Sequence, residues 1–223
     1  MYALLLEPVV RVNPINTFSF IEKSLYLYVM RDARKIIQAL TYLAYKQENK
    51  ELDNMKAYKL LWLADRYHVR HHGRTVSGDT YYALPHGIVP SNAKYFIENK
   101  PAKLKLSRKY RDSFICVSGN HSYRAVQEPD MSEFSISDIE ALDKVLEAYN
   151  HLSPKELSNL SHKFPEWKYY ERVIQDKEQG NAYPVNMLHF FESAPAADKS
   201  GLFEDSPELI ELSREVFRQL NRV

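Results

Sequence analysis

The chain has 223 residues, 44% of them hydrophobic and 13% aromatic, and a net charge of +1 from 30 Lys and Arg against 29 Asp and Glu. That length and apolar content support one sizeable core, so a single domain is expected, and the near-balanced charge, with a pI near 7.8, excludes the whole-chain basicity of a dedicated nucleic-acid binder. The single cysteine, Cys116, excludes an internal disulfide, no apolar run reaches the roughly 20 residues of a bilayer span, and no signal-peptide pattern opens the chain, so a cytosolic address is expected.

Residues 1–29 show no clear periodicity, are interrupted by Pro8 and Pro14, and read as an N-terminal extension. After Met30, a candidate start of translation, Ile36, Ile37, Leu40 and Leu43 mark an amphipathic helix, which places the folded domain at residues 30–223. A denser helix follows. Asn54 is placed to cap it; Ala57, Leu60, Leu61, Ala64, His68 and His71 share one face and Tyr58, Trp62 and Asp65 a second, so neighbours are expected on more than one side. Gly73 suits a left-handed C-cap, Thr80 to Leu84 reads as a short strand, and Pro85, His86 and Gly87 suit a turn with proline second and glycine fourth. Pro90 and Ser91 open the next helix.

Phe114 to Val117 and Tyr123 to Val126, separated by Ser118, Gly119, Asn120 and His121, predict a hairpin, with the strand at Thr80 a candidate third member. Ser137 with Glu140 forms a capping-box pattern ahead of Ile139, Leu142, Val145, Leu146 and Tyr149. Ser153, Pro154 and Glu156 start another helix, with Leu157, Leu160 and Phe164 inward and Pro165 limiting its far end. Shorter helical patterns occupy Glu166 to Gln175 and the stretch after Pro184, a loop runs from Glu192 to Asp205, and Ser206 and Pro207 begin a final helix whose Leu209, Leu212, Val216 and Leu220 form a stripe. The fold class is α+β, mainly α: a helical domain with a small antiparallel β-hairpin or ribbon.

Charge is uneven along the chain. Arg66, Arg70, Arg74, Lys100, Lys103, Lys105, Arg108, Lys109 and Arg111 gather in the middle, and Glu128, Asp130, Glu133, Asp138, Glu140 and Asp143 follow. A solvated surface is the plain reading; a docking face for an acidic partner or RNA is the sharper one.

No catalytic set stands out. His68 and His72 have helical metal-ligand spacing with Asp79 nearby, but Val69 stands where a zinc protease of that pattern needs its glutamate, so a metal-dependent hydrolase or nuclease is the weaker alternative. Ser161 and His162 are adjacent on a helix and point in different directions, Cys116 sits in an apolar strand, and the six glycines form no phosphate-cradling loop. The sequence therefore predicts no enzyme, no metal and no cofactor.

Two blocks carry a resemblance. The run KLLWLADRYHVRHHGRTVSGDTYYALPHGIVPSNAKYF and the later LSHKFPEWKYYE resemble the Panacea antitoxin domain, the SocA-like family of bacterial and phage genomes, over roughly Met30 to Val173. The matching positions are Lys59, Leu60, Leu61, Asp65, His68, Gly73, Gly78, Asp79, Tyr81, Ala83, Pro85, Gly87, Val89, Pro90, Ser161, His162, Pro165 and Trp167, with His86 between two of them. The resemblance implies a mainly helical domain with a small β-element. It also implies an antitoxin that neutralises a protein toxin encoded nearby by direct contact, or an adaptor that delivers the toxin to a Clp-type protease. Tyr81, Tyr82, His86, Tyr95, Trp167 and Tyr170 are candidate contact anchors, each with a core role as its alternative. If buried, Asp65 and His162 are expected to tie the central helix to the turn. The turn from Pro85 to Pro90 and the basic run from Lys100 are the expected partner-facing segments.

Overall fold

The computed structural model describes residues 33–98, 105–176 and 182–221, all within one compact unit, Asp32–Val223. Residues 1–29, the start at Met30, and Lys100 and Lys103 of the basic run lie outside the described residues. Helix α1 (residues 33–45) buries Ile36, Ile37, Leu40 and Leu43 as expected. Strand β1 (Glu51–Asp53) leads into helix α2 (Asn54–His72), whose cap is Asp53, not Asn54: the Asp53 carboxylate accepts the Lys56 amide at 2.9 Å. Every residue of α2 from Ala57 to Arg70 is buried, and Gly73 closes the helix at φ 64°. A helix buried all round must satisfy its polar side chains internally, and α2 contains Lys59, Asp65, Arg66, His68 and Arg70.

Strands β2 (Tyr81–Leu84) and β3 (Gly87–Pro90) form a hairpin around the expected turn, and helix α3 (Ser91–Ile97) follows. Helix α4 (Lys105–Phe114) precedes the second predicted hairpin, β4 (Ile115–Ser118) with β5 (Ser122–Ala125). Its third strand is β1, through Leu52 opposite Tyr123, and not the strand at Thr80. A three-residue strand carries too little alternation to be read from sequence, and its partner is some 70 residues away. The strand at Thr80, β2, belongs instead to a separate sheet of order β3-β2-β6.

Helix α5 (Ile136–Tyr149) opens on a capping box of Ser135 with Asp138, two residues before the expected Ser137 and Glu140. Ser137 serves elsewhere, its hydroxyl 3.0 Å from His68 Nε2. Helix α6 (Pro154–Ser161) has the expected box of Ser153 and Glu156; α7 (Pro165–Lys168) and α8 (Glu171–Gln175) divide the next helical pattern. Strand β6 (Tyr183–Pro184), a 3₁₀ turn (Met187–Phe191) and helix α9 (Pro207–Asn221) complete the described chain. Helix α2 packs against α5, α6, α9 and β3, which makes it the centre of the core. Trp62, fully buried, meets the Phe164 ring edge-on at 4.9 Å, an aromatic contact adding about 1 kcal/mol to the gain from burial. The stripe expected to anchor α9 does not: Ser213 and Phe217 are its buried residues, and Leu212 and Leu220 face out. Both arcs have helical spacing, and only the neighbours decide between them.

Candidate partner-binding site

Three groups of polar contacts surround α2, the first two built from signature residues. In the first, Asp65 accepts the Ser77 amide at 2.9 Å, the Ser77 hydroxyl, and the Tyr81 hydroxyl at 2.6 Å. Burial pushes the Asp65 carboxyl up to about 6, against the pull of those donors. Gly78 then turns the chain at φ 73°, and Asp79 accepts the amides of Thr80, Asn92 and Ala93 at 2.7–2.9 Å. Those last two are free amides of the first turn of α3, whose own N-cap is Pro90, without a side-chain cap bond. Asp79 thus fixes α3 onto the β2 entry, and Asp65 fixes that entry onto α2.

The second group holds the hairpin turn. Lys59 Nζ, fully buried, donates to the carbonyls of His86 at 2.9 Å and Ile88 at 2.6 Å; Ser158 Oγ donates to His86 O at 2.9 Å and Trp167 Nε1 to Leu84 O at 2.8 Å. The His162 ring meets the Trp167 ring at 4.3 Å, tilted by 40°, with its Nε2 buried and without a hydrogen-bond partner among the described residues. Burial and then the Lys59 charge push the His162 imidazole down from its ordinary range. Gly87, at φ 96°, is where this packing needs glycine: a Cβ there would lie 1.9 Å from Ser161 Oγ and 2.7 Å from Lys59 Nζ. With its carbonyls held from α2, α6 and α7, the turn exposes only the side chains of Pro85 and His86.

The third group was not legible in the sequence. Arg66, fully buried, pairs with Glu166 at 2.7 Å and donates to the carbonyls of His189 and Glu192; Arg70 pairs with Asp205 at 2.6 Å and donates to those of Phe190, Glu192 and Phe203. Together they bind residues 189–205 to the centre of the fold. Three arginines of the basic middle, Arg66, Arg70 and Arg111, are therefore buried, and Arg74 pairs with Asp138 at 2.8 Å. This corrects their reading as solvated surface or docking charge.

The metal alternative needs His68, His72 and Asp79 together. The His68 and His72 rings lie 4.5 Å apart and tilted, but the His68 ring nitrogens already meet the Arg74 carbonyl at 2.7 Å and Ser137 Oγ at 3.0 Å, and the Asp79 oxygens serve α3. Burial pushes the His68 imidazole down to about 4, with the Arg74 carbonyl pulling the other way. Among the described residues, no three His, Cys, Asp or Glu side chains are arranged to hold a metal.

Exposed aromatic surface lies beside these groups. Along β2 the alternation turns Tyr81 and Ala83 inward and Tyr82 outward, which removes Tyr81 as an anchor. Trp167 is removed too, being 5% exposed with its indole N–H committed. Tyr82, 36% exposed, and Tyr95, 48% exposed, flank a groove of about 280 Å³ floored by Leu84 and Val89 and rimmed by Lys94. Two candidate anchors weighed from sequence thus share one groove, which Tyr170 does not line, its hydroxyl donating to the Pro184 carbonyl at 2.7 Å. No helix among the described residues is long and apolar enough to cross a membrane.

Residues 58–168 match the family model described as antitoxin SocA-like, Panacea domain. No curated protein and no solved structure matches the chain. The match runs from the start of α2 to the end of α7 and so spans the Asp65, Asp79 and Lys59 groups together with Arg66, Arg70 and Glu166. Through residues 58–168 the chain belongs to the SocA-like Panacea antitoxin domain family.

Proposed function

We propose that this protein is an antitoxin that neutralises a cognate protein toxin, encoded nearby, by direct contact through the face formed by β2, the Pro85–His86 tip and α3. The Panacea domain supports the antitoxin role. The observation that carries the contact face is the pairing of Tyr82 and Tyr95 across one groove on backbone fixed by Asp79 and by the held turn. Aromatic side chains on rigid backbone lose little entropy on binding, and neutralisation by contact requires no activated nucleophile. Asp65, Gly78, Asp79, Tyr81, Gly87, Pro90, His162 and Trp167 shape this face from behind, Pro85 and His86 present its tip, and His68 ties α2 to the start of α5. Because Arg66 and Arg70 lie inside the family match and hold residues 189–205 outside it, the working domain extends through α9.

The test is co-expression with the product of the neighbouring reading frame. Growth arrest by that product alone and growth in the presence of this chain, with toxin levels unchanged, is the expected result. Arrest that persists against every neighbouring product overturns the reading. Toxin that disappears only when a Clp-type protease is present replaces neutralisation with delivery.

A further inference from the structure

Helix α9 has two apolar faces. Ile210, Ser213 and Phe217 turn toward the core, and Phe217 meets the Phe191 ring at 5.7 Å. Leu209, Leu212, Val216 and Leu220, at steps of three, four and four, form the adjacent arc, with Leu212 66% and Leu220 63% exposed. The arc is about 17 Å long at the helical rise per residue. No described residue covers its two leucines.

We propose that this arc docks a basic amphipathic helix of a partner protein. The spacing specifies a helix: steps of three, four and four keep the four side chains on one helical face, a ridge that the grooves of a facing helix accept. The charge specifies its flanks. At 100° per residue, Glu208 and Glu215 fall about 80–100° from the midline of the arc, while Arg214 and Arg218 fall about 160° away. Arg214 is further occupied, lying 5.5 Å over the Phe191 ring and 2.9 Å from Glu211. The border of the leucines is therefore formed by Glu208, Glu215 and Gln219; Glu215 is shared with Arg218 at 3.9 Å and accepts from Gln219 at 3.1 Å, so lysines or arginines on a docked helix meet opposite charge at Glu208 and compete with Arg218 for Glu215. A second copy of this chain fits less well, since antiparallel pairing centred on the arc brings Glu215 of one copy beside Glu215 of the other. That the helix belongs to the toxin rests on the antitoxin reading; its chemistry does not.

Two synthetic helical peptides with the same leucine seam, one flanked by lysine and arginine and one by glutamate, test this against the full chain by fluorescence anisotropy. The basic peptide is expected to bind at least about tenfold more tightly than the acidic one, and added salt to narrow the gap. Leu212→Asp and Leu220→Asp, both at exposed positions, are each expected to weaken the basic peptide at least about tenfold with an unchanged melting curve. Equal binding of the two peptides, binding of neither, binding undiminished in both variants, or a dimer of the chain that Leu212→Asp dissolves would overturn the proposal. Failure of toxin rescue by the wild-type chain, with peptide discrimination intact, overturns the antitoxin reading alone.

Discussion

The two halves of α2 hold their neighbours by different electrostatic means. In the first half, Lys59 enters the core with only carbonyls as acceptors, those of His86 and Ile88, and burial pushes its amine down to about 7. In the second half, Arg66 and Arg70 enter equally buried ground, and each is met by a carboxylate, Glu166 and Asp205. A lysine can shed its proton when desolvated and still offer two N–H donors, which is the number the turn uses. A guanidinium keeps its charge, so burial calls for a counter-ion and several acceptors, which among the described residues Arg66 has at both terminal nitrogens though not at Nε. The cation type thus predicts which clamp depends on pH and which on a paired acid.

The largest effect is expected where that pairing is broken. Glu166→Ala strands the buried Arg66 and the Trp62 indole N–H, which Glu166 accepts at 2.9 Å, and should lower unfolding stability in urea by about 3–5 kcal/mol. Adding Arg66→Met should restore much of it; a single variant as stable as wild type would remove the arginine half of the comparison. Next is Gly87→Ala, which forces a side chain into φ 96° against Ser161 and should cost about 2–3 kcal/mol in the same measurement.

A smaller effect separates the halves by pH. The folded Lys59 amine titrates near 7 and the unfolded one near 10.5, so between those values the unfolded chain holds a proton that the folded chain lacks. Its contribution to stability therefore rises with pH. From pH 7 to 9 the stability of wild type relative to Lys59→Met should increase by about 2 kcal/mol; parallel profiles would show that Lys59 stays charged in the core. The smallest stability effect belongs to the surface, where Tyr82→Ala and Tyr95→Ala should each stay within about 1 kcal/mol of wild type.

What the sequence revealed follows the range of the interaction concerned. Local signals were legible: Gly73 as a cap, Ser153 with Glu156 as a box, and proline second and glycine fourth in the hairpin turn all act within a few residues. The face of α9 and the third strand of the β4–β5 ribbon were misread because each depends on a distant neighbour. Arg66 and Arg70 read as surface for the same reason, their partners standing 100 and 135 residues away. Tyr81 and Tyr82 look alike in sequence, and only the pairing of β2 with β3 shows that the first enters the core and the second faces out. The site was legible as a signature, but not as a division between scaffold and contact surface.

On the proposed reading the signature residues build a scaffold, and Tyr82 and Tyr95 on its surface make the toxin contact. The most direct measurement is growth rescue by a Tyr82→Ala/Tyr95→Ala chain beside wild type, co-expressed with the neighbouring gene's product and paired with urea unfolding of both proteins. Wild type is expected to rescue, and the double variant to unfold at a closely similar urea concentration yet fail to rescue. Full rescue by the double variant would contradict it.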